Sequence, residues 1–182
     1  MLVIIMRHGE AEDYSQSDRT RALTKLGVLQ CENVGTQLQS YLSALKNQGG
    51  TSNTGVNKPE VIKKTGSVEL ALVSPYLRAQ QSFAALAKHT NVQHCKTVDC
   101  IVPTENASQS ADLIHAYACD EDGPQNLLVV SHMPLVSLLS SALCPQITSH
   151  FFDTAEAFVI DYDSESASGK LMTTIISQNA HV

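Results

Sequence analysis

The chain has 182 residues, enough to build a full apolar core without disulfide or metal staples and a length that one domain can hold. Apolar residues make up 43% and charged residues 16%, with nine glycines and six prolines, which excludes collagenous, coiled-coil and wholly disordered classes. Twelve basic against 18 acidic residues give a net charge of −6, contrary to a nucleic-acid binder, whose phosphate contacts need a basic face.

Short apolar runs alternate with longer segments of helical period, the pattern of an α/β domain with a largely parallel sheet. Leu2 to Met6 reads as a buried strand. From Thr24, a plausible N-cap, to about Leu45, the residues Leu26, Leu29, Val34, Leu38, Tyr41 and Leu42 recur at helical steps. Residues 47–67 are polar and glycine-rich and read as a surface loop or insertion. Val68 to Val73 is the next strand, and the helix after Ser74-Pro75 runs to about Lys88 on a face of Ala79, Phe83, Leu86 and Ala87. Lys96 to Val102 alternates weakly as another strand, and Ser108 or Ser110 opens a helix through Leu113, Ile114 and Tyr117. Asn126 to Val130 is a continuous apolar strand. Pro134 then stands at a first helical position before Leu135, Leu138, Leu139 and Ala142. Two closing strands, Ala155 to Asp161 and Leu171 to Ile176, flank the polar turn Asp163 to Lys170, where Ser-Gly supplies the bend.

The five cysteines include no C-x-x-C pair and read as reduced thiols packed like small hydrophobes. No run approaches the ~18 apolar residues of a membrane span, and the first charged side chain follows the N-terminal apolar run instead of preceding it, so a cytoplasmic location is expected. His89, His94, His115, His150 and His181 show no metal-ligand spacing, and Lys63-Lys64 reads as a solvated pair.

Only four arginines occur: Arg7, Arg19, Arg21 and Arg78. Three strands end in unusual chemistry: Arg7-His8-Gly9-Glu10 after the first, Ser74-Pro75-Tyr76-Leu77-Arg78 after the second, and Ser131-His132-Met133-Pro134 after the strand at Val130. Ligands of open α/β sheets sit beyond the carboxyl ends of the strands. If these strands are parallel neighbours, Arg7, His8, Arg78 and His132 converge on one pocket. Planar guanidinium groups bind phosphate bidentately, and a neutral imidazole can attack phosphorus, splitting one displacement into two. Gly9 would let the backbone bend sharply and bring N–H groups to a ligand. The helix after Pro134 would aim its positive end at the same place.

Arg7-His8-Gly9 directly after an N-terminal strand resembles the signature of the histidine phosphatase superfamily, which includes cofactor-dependent phosphoglycerate mutases and acid phosphatases. With the blocks Arg21-Ala22-Leu23-Thr24, Val73-Ser74-Pro75-Tyr76-Leu77-Arg78 and Val129-Val130-Ser131-His132-Met133-Pro134, in the same order, residues 1 to about 160 look like a SixA-type phosphohistidine phosphatase. The resemblance implies a single-domain three-layer α/β/α sandwich with a mostly parallel central sheet, phosphoglycerate mutase-like. It implies His8 as nucleophile, Arg7 and Arg78 as holders of the phosphoryl oxygens, His132 as second histidine and Arg21 at the pocket rim. No metal and no organic cofactor is implied. Ala22 departs from the family, which commonly has proline there.

An N-linked phosphoryl group leaves as an imidazole, whereas a phosphoester expels an alkoxide and needs a general acid. Larger superfamily members place a carboxylate in the loop after the third strand, where this chain has Glu105; it reads either as such a substrate-facing acid or as a solvated loop residue near a helix start. Glu10 and Glu12 read as solvated. The expected activity is a metal-independent phosphohistidine phosphatase acting on a phosphorylated protein, a histidine phosphotransfer domain or sensor kinase, with a monomeric enzyme. The alternatives are a phosphatase or mutase of small phosphoesters, and a phosphate-binding module without turnover.

Overall fold

The computed structural model describes residues 1–48 and 65–178. Most of the polar stretch 47–67, with Lys63-Lys64, and His181 lie outside them. The elements run β1 (Leu2–Arg7), α1 (Lys25–Gln48), β2 (Val68–Val73), α2 (Leu77–Leu86), β3 (Val92–Thr97), α3 (Ala107–Cys119), β4 (Asn126–Ser131), α4 (Leu135–Leu143), β5 (Ala157–Asp163) and β6 (Ser168–Ile175), with short 3-10 turns at Asp18–Thr20 and Asp99–Ile101. The sheet order is β3-β2-β4-β1-β5-β6. The four strands from β3 to β1 are mutually parallel, and β5 and β6 close the sheet antiparallel.

Side chains alternate across the sheet with the two-residue period of a strand. Ile4, Met6, Leu128 and Val130 face α1 and α2, where they meet Val34, Leu38 and Leu86. Val3, Ile5, Leu127 and Val129 face α3 and α4, against Ile114, Leu135 and Leu139. Burial on both faces is why β1, β2 and β4 are apolar at nearly every position, and it makes the molecule a three-layer sandwich. Leu128 is wholly buried, so Leu128→Ala would cost about 2–5 kcal/mol.

Thr24 caps α1: its hydroxyl accepts the Gly27 N–H at 3.0 Å and donates to Glu10 Oε1 at 2.8 Å. The first turns of α1 face the loop after β1, so Gly27 and Gln30 take the inner positions and Leu29 is exposed, against expectation. A Cβ on Gly9 would stand 2.5 Å from the Gly27 carbonyl oxygen and 2.8 Å from Cys31 Sγ. Gly9 therefore permits close packing; its φ is not positive, and its N–H goes to Ser82 Oγ at 3.0 Å.

Several boundaries differ from the sequence expectation. β3 lies at Val92–Thr97, ahead of the expected Lys96 to Val102, because it is an edge strand whose side chains are nearly all exposed and carry no apolar signal. The more apolar residues after it form a loop that inserts Ile101 into the core. α3 is capped by Asn106, which accepts the Ser108 N–H at 2.9 Å, ahead of the expected openers Ser108 and Ser110. Pro134 is the cap of α4, not its first helical residue, and Leu138 and Ala142 lie outside its buried face. β5 starts at Ala157 because Ala155 has a left-handed φ of 61°. The bend between β5 and β6 is made by Ser164 to Ala167, with φ of 49° at Ala167. Ser168 and Gly169 are already in the strand, where a Cβ on Gly169 would press into Ile160. The cysteines are all free; Cys31 and Cys144 are buried, whereas Cys95 and Cys119 are exposed.

Candidate active site

β1, β4 and β2 are neighbours, so the chain segments that leave their carboxyl ends meet. His8 N–H donates to the Ser131 carbonyl at 2.9 Å and Ser74 N–H to the Val130 carbonyl at 3.1 Å. This register stands His8 beside His132, with ring centroids 5.1 Å apart. α2 then carries Arg78 back over the pair.

His8 is buried and its tautomer follows from its partners. Nδ1 lies 2.7 Å from the Gly9 carbonyl, which only accepts, so Nδ1 carries the proton. Nε2 receives the Arg78 Nε–H at 3.1 Å and keeps its lone pair toward the cluster. Burial, with the neighbouring Arg78 and Arg7, pushes the His8 pKa down to about 4 despite the opposing Gly9 bond, so the ring is neutral near pH 7. His132 is buried deeper: Nε2 lies 2.7 Å from Ser74 Oγ, whereas Nδ1 is a buried atom without a hydrogen-bond partner. Burial first, then His8 and Arg78, pushes its pKa to about 2.

Arg7 donates from Nη1 to the Phe152 carbonyl at 2.5 Å, and its Nε is the second buried polar atom left without a partner. The loop that supplies Phe152 is held from below. The buried Glu156 carboxylate accepts the Asp153 N–H at 2.7 Å and pairs with His150 Nε2 at 2.9 Å, while the Glu156 carbonyl accepts the Arg7 N–H. Arg78 is 4% exposed and gives Nη1 to the Asp18 carbonyl at 2.6 Å and Nη2 to Asp18 Oδ2 at 3.0 Å. The Tyr76 ring lies 4.9 Å from the Arg78 guanidinium and 4.9 Å from the His132 ring. Arg21 donates to the Glu12 carbonyl at 2.6 Å and to Asp18 Oδ1 at 3.1 Å.

Arg7, His8, Arg78 and His132 thus stand together, with Arg21 reaching the same group through Asp18. Glu105 makes no side-chain hydrogen bond or ion pair with them. It occupies the turn before α3, its N–H on the Val102 carbonyl, and among the described residues the carboxylate hydrogen-bonded to these arginines is that of Asp18. Arg19 reaches outward to Asp99 at 3.5 Å. Sequence reasoning missed Asp18, Glu156 and the Phe152 carbonyl, whose contacts arise from folded loops and carry no local motif; the block that ends in Arg21 is the one hint of Asp18, three residues earlier. Cys31, behind Gly9, is no rival nucleophile, since burial raises its thiol to about 11. Among the described residues no three His, Cys, Asp or Glu side chains converge as a metal site requires, and no helix is long and apolar enough to cross a membrane.

Three guanidinium groups stand around two neutral imidazoles, with the Asp18 carboxylate shared by two of them and the Asp153 and Glu156 carboxylates acting on Arg7. Two buried N atoms, Arg7 Nε and His132 Nδ1, await a partner. Such a site is fitted to a tetrahedral oxyanion beside a nucleophilic nitrogen.

No family model matches the chain. It is 34% identical to the phosphohistidine phosphatase SixA of Escherichia coli (strain K12) over 93% of this chain and 89% of that protein. It is 32% identical to the phosphohistidine phosphatase SixA homolog of Haemophilus influenzae over 79% of this chain and 77% of that one. Among solved structures, the protein histidine phosphatase SixA complexed with tungstate superposes over the whole of both chains with a TM-score of 0.78 and 27% identity.

Proposed function

The chain belongs to the SixA family of phosphohistidine phosphatases, within the histidine phosphatase superfamily, and we propose that it removes the phosphoryl group from a histidine of a signalling protein through a phosphoenzyme on His8. The observation that carries this reading is the tautomer of His8: Nδ1–H is tied to the Gly9 carbonyl and the Nε2 lone pair faces Arg78. In the first step Arg78 Nε–H passes from Nε2 to a phosphoryl oxygen, and the freed Nε2 lone pair forms a bond to phosphorus as the phosphorus–nitrogen bond to the substrate histidine breaks. The departing imidazole keeps the bonding pair and takes a proton from water. In the second step water attacks phosphorus, the bond to Nε2 breaks, and inorganic phosphate leaves with His8 neutral again.

Arg7 and Arg78 hold the equatorial oxygens, where charge gathers in the transition state, and Arg7 Nε and His132 Nδ1 are the buried atoms left open for them. Arg21 holds the rim. A relative solved in complex with tungstate, a tetrahedral oxyanion, supports binding of such an anion. Glu105 makes no ion pair with the arginines, which favours a leaving group that needs no carboxylic acid, the substrate histidine over an alkoxide.

A histidine phosphotransfer domain or sensor kinase is the partner this reading favours. Tyr14, 91% exposed, precedes Asp18 in one loop; Phe151, 74% exposed, lies 5.7 Å from the Arg7 guanidinium; and partly exposed Leu77 adjoins Arg78. Apolar groups beside a charged pocket suit a protein surface more than a small polar ester.

The test is a ³²P-phosphohistidine transfer domain mixed with enzyme and quenched rapidly. Acid-labile label should appear on the wild type and be absent from His8→Ala, with turnover reduced on the order of 10⁴-fold or more. An unlabelled wild type that binds the phosphoprotein would identify a docking module instead.

A further inference from the structure

Asp18 sets a negative charge directly on two arginines of the cluster, against the chemistry proposed for it. It comes from the 3-10 turn Asp18–Thr20, and its side chain is 55% exposed on the solvent side of a guanidinium that is itself buried. Its two carboxylate oxygens are split between two arginines, Oδ2 to Arg78 Nη2 at 3.0 Å and Oδ1 to Arg21 Nη1 at 3.1 Å. The inner side of the same pocket, by contrast, has Arg7 Nε and His132 Nδ1 buried and without partners. On one side of the arginine cluster two buried nitrogens lack partners; on the exposed side a carboxylate already holds the guanidinium groups.

Resting on the phosphatase reading above, we infer that Asp18 is a specificity-determining residue: an internal carboxylate that competes with phosphoryl oxygens for Arg78 and Arg21. A bound phosphoryl dianion must displace this carboxylate or sit beside it, and either raises the cost of holding free phosphate. A phosphoryl group borne on a docked protein offsets that cost with contacts remote from phosphorus, which a free anion lacks. Asp18 thereby disfavours small phosphorylated metabolites and speeds release of the phosphate product.

A purely supporting role would make the opposite prediction, and the geometry separates the two. Without the Asp18 side chain, Arg78 keeps its bonds to His8 Nε2 and to the Asp18 main-chain carbonyl at 2.6 Å, with Tyr76 on its flank. Arg21 keeps the Glu12 carbonyl at 2.6 Å. Both guanidinium groups stay tethered while losing a competitor.

The experiment is calorimetric titration of inorganic phosphate into the full chain as wild type, Asp18→Asn, Asp18→Ala and Asp18→Glu, with thermal melting of each variant as the folding control. Both neutral variants should bind phosphate at least tenfold more tightly, about 1.4 kcal/mol, and show stronger product inhibition. Asp18→Glu, which keeps the charge, should stay within threefold of wild type. If either neutral variant fails to fold, the other is read alone. Unchanged or weaker phosphate binding by the folded neutral variants overturns the inference, as does equal tightening in Asp18→Glu. Phosphoenzyme labelling of the wild type is independent of this result, so failure of the phosphatase reading is seen separately.

Discussion

The two ends of the parallel sheet bury polar groups to opposite effect. At the amino end, buried Asn126 gives its amide to the Thr65 and Ser67 carbonyls at 2.9 and 2.7 Å and to the Thr65 hydroxyl at 3.0 Å, and the Gln125 N–H is taken by the Glu69 carboxylate. At the carboxyl end, Arg7 Nε and His132 Nδ1 are buried without partners and two imidazoles are held neutral. An unmet buried donor or acceptor costs about 1–3 kcal/mol. The fold bears that cost at the end where we propose the phosphoryl group binds, whereas among the described residues no buried side-chain N or O at the other end lacks a partner. Hydrogen-bond completeness, more than burial, separates scaffold from site.

The largest effects should come from removing donors at the open end. Arg78→Ala and Arg7→Ala are each expected to lower kcat/KM at least ~10²-fold, as loss of one preformed transition-state donor does; retained activity in either would take that arginine out of the site. A pH profile tests the imidazoles next. His8 reacts as the neutral ring and its folded pKa is about 4, below its ordinary value, so activity should be full above about pH 5 and fall about tenfold per unit only below 4. An acid limb near 6.5 would mean His8 is solvated in the working enzyme. At the closed end, Asn126→Ala should destabilise by about 1–3 kcal/mol in denaturant melts while kcat/KM stays within threefold, and a large catalytic loss there would erase the contrast between the ends. The smallest effect belongs to Glu105→Gln, which should change turnover of a phosphohistidine protein by less than about threefold; a loss of 10²-fold or more would restore Glu105 as a leaving-group acid.

What the sequence made legible follows the same division. β1, β2 and β4 are buried on both faces, so their residues had to be apolar and were read within one or two positions. Arg7 ends β1, His8 and His132 directly follow β1 and β4, and Arg78 lies on the helix after β2, so strand neighbours bring them together. Asp18 was illegible because its partners are 60 residues away along the chain at Arg78 and three away at Arg21, a spacing common on any polar surface. Glu156 was hidden for a related reason: its work is to hold the backbone of a loop, which leaves no pattern in side-chain type.

β3, expected at Lys96 to Val102 and found at Val92–Thr97, was placed late because its side chains are polar, and the same property bears on association between copies. An outermost strand offers unpaired N–H and C=O groups to any passing strand, the usual seed of edge-to-edge aggregation. Here that rim carries exposed Gln93, His94 and Lys96, polar groups that disfavour pairing with a second strand, with Lys96 held on the Tyr117 hydroxyl at 3.2 Å. Replacing Lys96 and His94 with valine would make β3 easy to recognise and the protein hard to keep in solution.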